Sequence, residues 1–157
     1  MKRPLTILLV DDNIHDVTIT RKCLQKAGVQ AETIHLENGQ ECMAYLRQQE
    51  PYREAVRPDL VLLDINMPIM TGREVMREIS LDDQLRHLPV LILTTSAASE
   101  DVSHMYQHRC SSYLVKPADF QEFVALIRDV MNYWSKLAKL PPKDSEPEEN
   151  GLPSLSV

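Results

Sequence analysis

The sequence has few glycines and cysteines. Only four glycines occur among 157 residues, and none lies between Pro4 and Ala27, where a nucleotide- or flavin-binding fold would need a glycine-rich phosphate loop after its first strand. The cysteines, Cys23, Cys42 and Cys110, are odd in number and not in CxxC spacing. This pattern favours a reducing cytosol over a disulfide scaffold. Both a nucleotide-binding fold and a disulfide-stapled fold are therefore disfavoured.

Long apolar runs and a basic face are also lacking. The N-terminal stretch Leu5–Val10 has six residues and ends at Asp11 and Asp12, so it is too short and too abruptly charged for a signal peptide. No stretch approaches the roughly 20 apolar residues of a membrane span. The net charge is −6, which argues against a nucleic-acid partner. We expect a cytoplasmic protein without a nucleic-acid or membrane partner.

Short apolar runs alternate with segments of helical periodicity. The runs predict strands buried on both faces, as in parallel sheets; they are Leu5–Val10, Leu60–Leu63 and Val90–Leu93, with weaker candidates at Thr33–Leu36 and Ser111–Val115. The predicted helices are Ile14–Ala27, Gln40–Gln49, Arg73–Leu81, Ser99–Arg109 and Asp119–Leu140. This order predicts an α/β fold: a single (βα)₅ doubly wound parallel sheet with the flavodoxin-like strand order 2-1-3-4-5.

The chain divides into a folded body and a tail. Residues 1–140 are expected to form one domain that ends in an extended helix, whereas 141–157 are acidic and hold four of the ten prolines, which predicts disorder. On the last helix, Trp134 is expected to pack in the core. Met131, Tyr133 and Leu137 could extend beyond the core face, and an exposed apolar strip there would favour a homodimer through the last strand and helices.

Polar residues follow four of the five predicted strands. Asp11 and Asp12 follow the first strand, Asp64 the third, Thr94 the fourth and Lys116 the fifth. Because the carboxyl ends of parallel strands meet at one sheet edge, these side chains should converge there. Three carboxylates repel one another, and oxygen ligands without Cys or His favour a hard cation such as Mg²⁺. Together with the ammonium of Lys116 and the hydroxyl of Thr94, these carboxylates are suited to phosphoryl transfer to a carboxylate.

Each of these residues also has a simpler interpretation. Asp11 and Asp12 could cap the next helix, Lys116 could be a solvated surface lysine, and Thr94 could be a buried hydroxyl bonded to the backbone. Only their shared position at one sheet edge favours a joint site.

The motifs around these residues resemble the receiver domain of two-component response regulators. They are Leu9–Asn13, the segment Leu62–Pro68 followed by Gly72, Leu93–Ser96, and Tyr113–Pro117. The spacings from Asp64, 30 residues to Thr94 and 52 to Lys116, match those usual in the family. The resemblance spans about residues 5–135.

The resemblance implies a role for each acidic residue. Asp64 would be the phosphoacceptor, and Asp12 would bind Mg²⁺, with Asp11 acting directly or through water. Asn66 would contribute its backbone carbonyl to the same ion. The chain would be a signalling protein and not an enzyme, apart from slow hydrolysis of its own acyl phosphate.

The family also implies a switch. Lys116 and Thr94 would bind phosphoryl oxygens, and Tyr113 would swing inward as Thr94 shifts. Thr95 stands where many relatives have Ala, which could alter the phosphoryl lifetime. The phosphoryl donor would be a sensor histidine kinase.

Two features resemble a narrower group, the stand-alone regulators that partner phytochrome-type histidine kinases, including bacteriophytochromes. They are the longer loop Glu50–Pro58 and the last helix with Asn132, Tyr133 and Trp134, alongside the Thr94–Ser96 variant.

Two alternative functions and one possible metal site remain. A phosphatase with an Asp nucleophile would usually have a second Asp two residues later as general acid, but Asn66 stands there. A receiver-like module could bind partners without being phosphorylated. His104 and His108 have metal-ligand spacing on a helix, but without a third ligand they are interpreted as a surface pair.

Overall fold

The computed structural model describes residues 4–143 and contains five strands alternating with five helices. The strands are β1 (Leu5–Val10), β2 (Ala31–Leu36), β3 (Leu60–Leu63), β4 (Val90–Thr94) and β5 (Ser112–Val115). The helices are α1 (Ile14–Lys26), α2 (Gly39–Leu46), α3 (Gly72–Leu81), α4 (Ser99–Gln107) and α5 (Phe120–Asn132). All paired strands are parallel, in the order β2-β1-β3-β4-β5. The predicted fold class is confirmed.

Two apolar cores lie on opposite faces of the sheet. Alternate residues of β1 point to opposite faces, so Leu8 and Val10 join the core under α2 and α3, whereas Ile7 and Leu9 join the core under α1 and α5. Burial on both faces explains why the central strands β1, β3 and β4 show no polar alternation, whereas the edge strand β2 exposes Glu32. Within residues 4–143, no helix is long and apolar enough to cross a bilayer.

Local signals set the starts of the helices. The Asn13 side chain caps α1 by accepting hydrogen bonds from the backbone N–H groups of His15 and Asp16. Thr71 and Glu74 form a reciprocal capping box at the start of α3. Because Asn13 caps α1, the neighbouring acidic pair is not needed for capping.

Helix ends differ from the prediction where the backbone turns left-handed. Gln48 has φ 53° after α2, and Arg109 has φ 66° after α4. Both helices therefore end two or three residues earlier than predicted, because a left-handed residue cannot continue a right-handed helix. The ends of α1 and α3 lie within one residue of the prediction.

The last helix is also shorter than the predicted Asp119–Leu140. After Asn132 the chain forms a single π-helical turn, Tyr133–Leu137, and becomes extended at Ala138. The Ser135 hydroxyl donates to the Met131 carbonyl at 2.6 Å, a contact that bends helices.

The exposed apolar strip at the end of the last helix is smaller than the sequence predicts. Met131 is fully buried in the core, and Trp134 packs against the same core as predicted. Tyr133 and Leu137 are 51% and 78% exposed. The exposed strip therefore lacks Met131.

The residues after α5 return towards the amino ends of the strands. Lys143 Nζ lies 3.5 Å from Asp59 Oδ1, and the other Asp59 oxygen accepts a hydrogen bond from the Thr6 amide at 2.8 Å. Pro141 and Pro142 lie beside this pair. The rest of the predicted tail, 144–157, lies outside the described residues, so its disorder stays a prediction.

Gly72 allows α3 to start directly against the end of β3. A Cβ at this position would lie 2.8 Å from the Ile65 Cα and still closer to the Asp64 carbonyl oxygen. The Gly72 amide donates to the Ile65 carbonyl at 2.8 Å. Only glycine permits this approach, which holds the loop after Asp64 against the sheet.

Gly72→Ala is expected to lower the free energy of unfolding by about 3 kcal/mol, because the new methyl must displace the backbone of Asp64 and Ile65. Gly28→Ala is the matched control: Gly28 has φ +72° but open space around its Cβ position, so only the backbone cost of about 1 kcal/mol applies. Urea denaturation measures both. Equal losses would contradict the close-approach argument.

Candidate functional site

The carboxyl ends of β1 and β3 bring three carboxylates together. Val10 pairs with Leu63 across these strands, so Asp11 and Asp64 follow at the same level of the sheet. One ligand oxygen from each of Asp11, Asp12 and Asp64 lies within 4.8 Å of the others. The structure thus brings together the acidic residues that the sequence placed at this edge.

Lys116 reaches this cluster from the end of β5. Its side chain is 4% exposed, and Nζ lies 2.7 Å from Asp11 Oδ2, 2.8 Å from Asp16 Oδ2 and 3.4 Å from Asp64 Oδ2. Its backbone amide donates to the Thr94 carbonyl at 2.7 Å, which fixes the side chain's origin. The interpretation of Lys116 as a solvated surface residue is excluded.

The charges at the site are only partly balanced. Burial alone would lower the pKa of Lys116, but hydrogen bonds to Asp11 and Asp16 and the charge of Asp64 raise it well above its usual value. For the carboxyl group of Asp11, burial has the opposite effect and raises the pKa. The hydrogen bonds of Asp11 with Lys116 and Asn13 lower it again, but only in part. One ammonium therefore faces an excess of carboxylates, and the buried Asp11 anion lacks full compensation.

The donor set of this cluster fits a hard divalent cation. All ligand atoms are carboxylate oxygens, and Asp12 is exposed to solvent while Asp11 is 8% exposed. A site of this kind keeps water ligands and lacks the soft donors that zinc prefers. Asn66 lies exposed in the loop two residues after Asp64.

Thr94 is completely buried at the end of β4. Its Oγ1 accepts a hydrogen bond from the Ser96 amide at 3.4 Å. This contact agrees with the simpler interpretation of Thr94 as a hydroxyl bonded to the backbone, and it also places the hydroxyl at the same sheet edge as Lys116.

Tyr113 is joined to the loop between β4 and α4. Its hydroxyl donates to the Ser96 carbonyl at 2.8 Å, and burial raises its pKa. The ring packs against the core under α2 and α3. Ser96 is thus bonded through its backbone to both Thr94 and Tyr113.

A charged network extends from this loop to two helices. The Ser96 hydroxyl donates to Asp101 Oδ2 at 2.6 Å, and the Arg73 guanidinium on α3 donates to the other Asp101 oxygen. Hydrogen bonds from Ser96 and Arg73 hold the pKa of Asp101 below its usual value. The network therefore links α3 and α4 to Ser96, whose carbonyl accepts the hydrogen bond from Tyr113.

Sequence reasoning missed Asp16, Ser96 as a bonded group, Arg73 and Asp101. Asp16 lies in the first turn of α1, where an acidic residue is expected simply for its favourable interaction with the helix dipole. Arg73 and Asp101 are 28 residues apart and belong to different helices. Nothing in a single sequence distinguishes such a pair from other surface charges.

His104 and His108 lie side by side, with ring centroids 4.6 Å apart. Within residues 4–143, the cluster with three possible metal ligands is the one formed by Asp11, Asp12 and Asp64. The histidine pair has no third ligand there. Their interpretation as a surface pair and not a metal site stays a prediction.

The chain is similar in sequence to known proteins. The family model of the response regulator receiver domain matches residues 7–128. The response regulator Rcp1 of Synechocystis is 35% identical over 138 residues, which cover 88% of this chain and 94% of Rcp1.

Solved structures extend the comparison. The phosphorylated cyanobacterial phytochrome response regulator RcpA matches with a TM-score of 0.85 and 36% identity, over 89% of this chain and all of RcpA. The Mn²⁺-bound form of Rcp1 matches with a TM-score of 0.84 and 34% identity, over 88% of this chain and all of that one. The chain belongs to the response regulator receiver domain family.

Proposed function

We propose that this chain is a response regulator that accepts a phosphoryl group from a histidine kinase on Asp64, with Mg²⁺ held by Asp11, Asp12 and Asp64. The observation that carries the proposal is the convergence of these three carboxylates beside the buried ammonium of Lys116. The backbone carbonyl of Asn66 would complete the protein ligands of the ion. A carboxylate flanked by a cation site and a fixed ammonium suits an acceptor for a charged group.

In the transfer step, an Asp64 carboxylate oxygen forms a bond to phosphorus, and the bond from phosphorus to the imidazole nitrogen of phosphohistidine breaks. The electron pair of that bond stays on the imidazole, and Asp64 becomes an acyl phosphate. Lys116, whose Nζ lies 3.4 Å from Asp64 Oδ2, and the buried Thr94 hydroxyl would donate to phosphoryl oxygens. The metal ion, when bound, neutralises negative charge on the phosphoryl group. Slow hydrolysis of the acyl phosphate by water would return Asp64 to its carboxylate.

Phosphorylation would be transmitted through Thr94 and Ser96. A shift of the Thr94 hydroxyl towards a phosphoryl oxygen would weaken its contact with the Ser96 amide, and the Ser96 carbonyl holds Tyr113. The proposed switch therefore biases the surface formed by α4, β5 and α5.

Incubation with acetyl phosphate and Mg²⁺ is expected to shift the wild-type band in Phos-tag electrophoresis, and Asp64→Asn is expected to abolish the shift. EDTA should abolish it as well, because the phosphoryl charge is then not neutralised. Asp129→Asn, an exposed acid on α5, is the control and should retain the shift. A wild-type protein that never shifts would favour a partner-binding module that is not phosphorylated.

The proposed phosphoryl donor is a phytochrome-type histidine kinase. RcpA, whose structure matches this chain, is named a cyanobacterial phytochrome response regulator, and sequence identity over most of both chains supports a similar kinase surface. The sequence itself contains no residue that dictates the input signal.

Phosphotransfer profiling against purified histidine kinases tests the donor. At short reaction times, a phytochrome-type kinase is expected to transfer its label to this chain at least about tenfold faster than the others, which corresponds to a difference of about 1.4 kcal/mol in the free energy of the transition state for transfer. Asp64→Asn should receive no label. Preferred transfer from a kinase of another class would overturn the phytochrome assignment and leave the phosphoacceptor proposal intact.

We also propose a homodimer through β5 and the last helical segments. Val115, Tyr133 and Leu137 are 43%, 51% and 78% exposed in this part of the chain. Exposed apolar side chains on these elements favour association.

Leu137→Glu is expected to weaken dimerisation at least about tenfold, because it places a charge in an apolar contact. Light scattering after gel filtration, with and without acetyl phosphate and Mg²⁺, measures the dimer fraction. Leu81→Glu, which changes a leucine that is 73% exposed at the end of α3, should leave that fraction unchanged. A monomeric wild type, or equal effects of both variants, would contradict the proposed interface.

A further inference from the structure

Asp16 is bound to the central ammonium of the site although it is not part of the acidic cluster. Its Oδ2 lies 2.8 Å from Lys116 Nζ, which is closer than Asp64 Oδ2 at 3.4 Å. An ammonium has three N–H donors, and Lys116 has three carboxylate partners: Asp11, Asp16 and Asp64. Asp16 therefore takes up one of the three donors.

The backbone of α1 fixes the direction of the Asp16 side chain. The Asp16 amide donates to the Asn13 side chain, and the Asp16 carbonyl accepts a hydrogen bond from the Thr20 hydroxyl at 2.8 Å. The helix cap is supplied by Asn13, so the Asp16 carboxylate is not used for capping. It is 25% exposed and points to Lys116.

The charge of Lys116 has two opposite effects on the site. It offsets repulsion among the carboxylates, but it also repels a divalent cation and competes with that cation for the oxygens of Asp11 and Asp64. An anion that binds the ammonium from the side of α1 reduces both the repulsion and the competition. Asp16 occupies that position.

We propose that Asp16 is a positioning residue that draws the Lys116 ammonium towards α1, so that the ammonium binds Asp11 and Asp64 less strongly and competes less with the divalent cation for their oxygens. The inference rests on the proposed function for its metal, but the contact between Asp16 and Lys116 is independent of it. Without the Asp16 charge, Lys116 would engage Asp11 and Asp64 more strongly and disfavour the metal.

A double-mutant cycle in EDTA tests the contact without metal. Wild type, Asp16→Asn, Lys116→Met and the double variant are unfolded in urea. The unfolding equilibrium constants are expected to show a coupling of about tenfold between the two positions, as is typical of a close, largely desolvated charge pair. Additive effects would overturn the inference. The same result is expected whether or not Asp64 is ever phosphorylated.

The same four proteins test the effect on the cation. Mn²⁺, monitored by electron paramagnetic resonance, serves as the probe. Asp16→Asn is expected to raise the Kd for Mn²⁺ about tenfold when Lys116 is present, and about threefold or less in the Lys116→Met background, where only the through-space charge is lost. Equal losses in both backgrounds, no loss in either, or a wild type that does not bind Mn²⁺ would each overturn the inference.

Glu122→Gln is the matched control, because Glu122 is also an acidic residue in the first turn of a helix, on α5. This substitution removes the same charge from a helix N-terminus and should change the Kd for Mn²⁺ less than twofold. If the wild type shows the expected cycles but no Phos-tag shift with acetyl phosphate, the phosphoacceptor proposal fails and the role of Asp16 stands.

Discussion

The ammonium of Lys116 is the interaction on which the site depends. It lies almost fully buried between Asp11 and Asp16, which follow β1, and Asp64, which follows β3. Burying a lysine is costly unless its charge is matched, and here the carboxylates raise its pKa rather than lower it. The site as a whole carries an excess of negative charge, because several carboxylates face one ammonium and the buried charge of Asp11 is not fully compensated. This excess of negative charge makes the sheet edge suited to a divalent cation.

The parallel sheet explains why these groups meet. The central strands β1, β3 and β4 are buried on both faces and leave little room for polar side chains, so the polar groups of these strands gather where the strands end. The pairing of Val10 with Leu63 places Asp11 beside Asp64, and the pairing of Thr94 with Val115 places Thr94 beside Lys116. Gly72 then holds the loop after Asp64 against β3. The same packing that stabilises the core therefore positions the chemistry.

A second polar network connects this edge to the surface. Ser96 contacts Thr94 and Tyr113 through its backbone and Asp101 through its hydroxyl, and Asp101 binds Arg73 on the neighbouring helix. A change at the buried Thr94 hydroxyl thus has a short, hydrogen-bonded path to α3, α4 and β5. Such a path couples the two sites when its side chains can adopt two arrangements. The proposed switch supplies the second arrangement, in which the Thr94 hydroxyl has moved away from the Ser96 amide.

The α/β class and the position of Asp64, Thr94 and Lys116 at strand ends follow from the amino-acid sequence alone, because local apolar runs and motif spacing encode these features. The strand order expected for this alternation, 2-1-3-4-5, is the one observed. Three features could be seen only once the chain was folded: the contact of Asp16 with Lys116, the pairing of Arg73 with Asp101 and the burial of Met131. These contacts join residues far apart in the chain, and a lone acid in a first helical turn has the same local pattern whether it faces solvent or an ammonium. The left-handed residues Gln48 and Arg109, which end α2 and α4 early, likewise have no marker in local hydrophobic periodicity, since the turn conformation is set by the packing of the chain that follows.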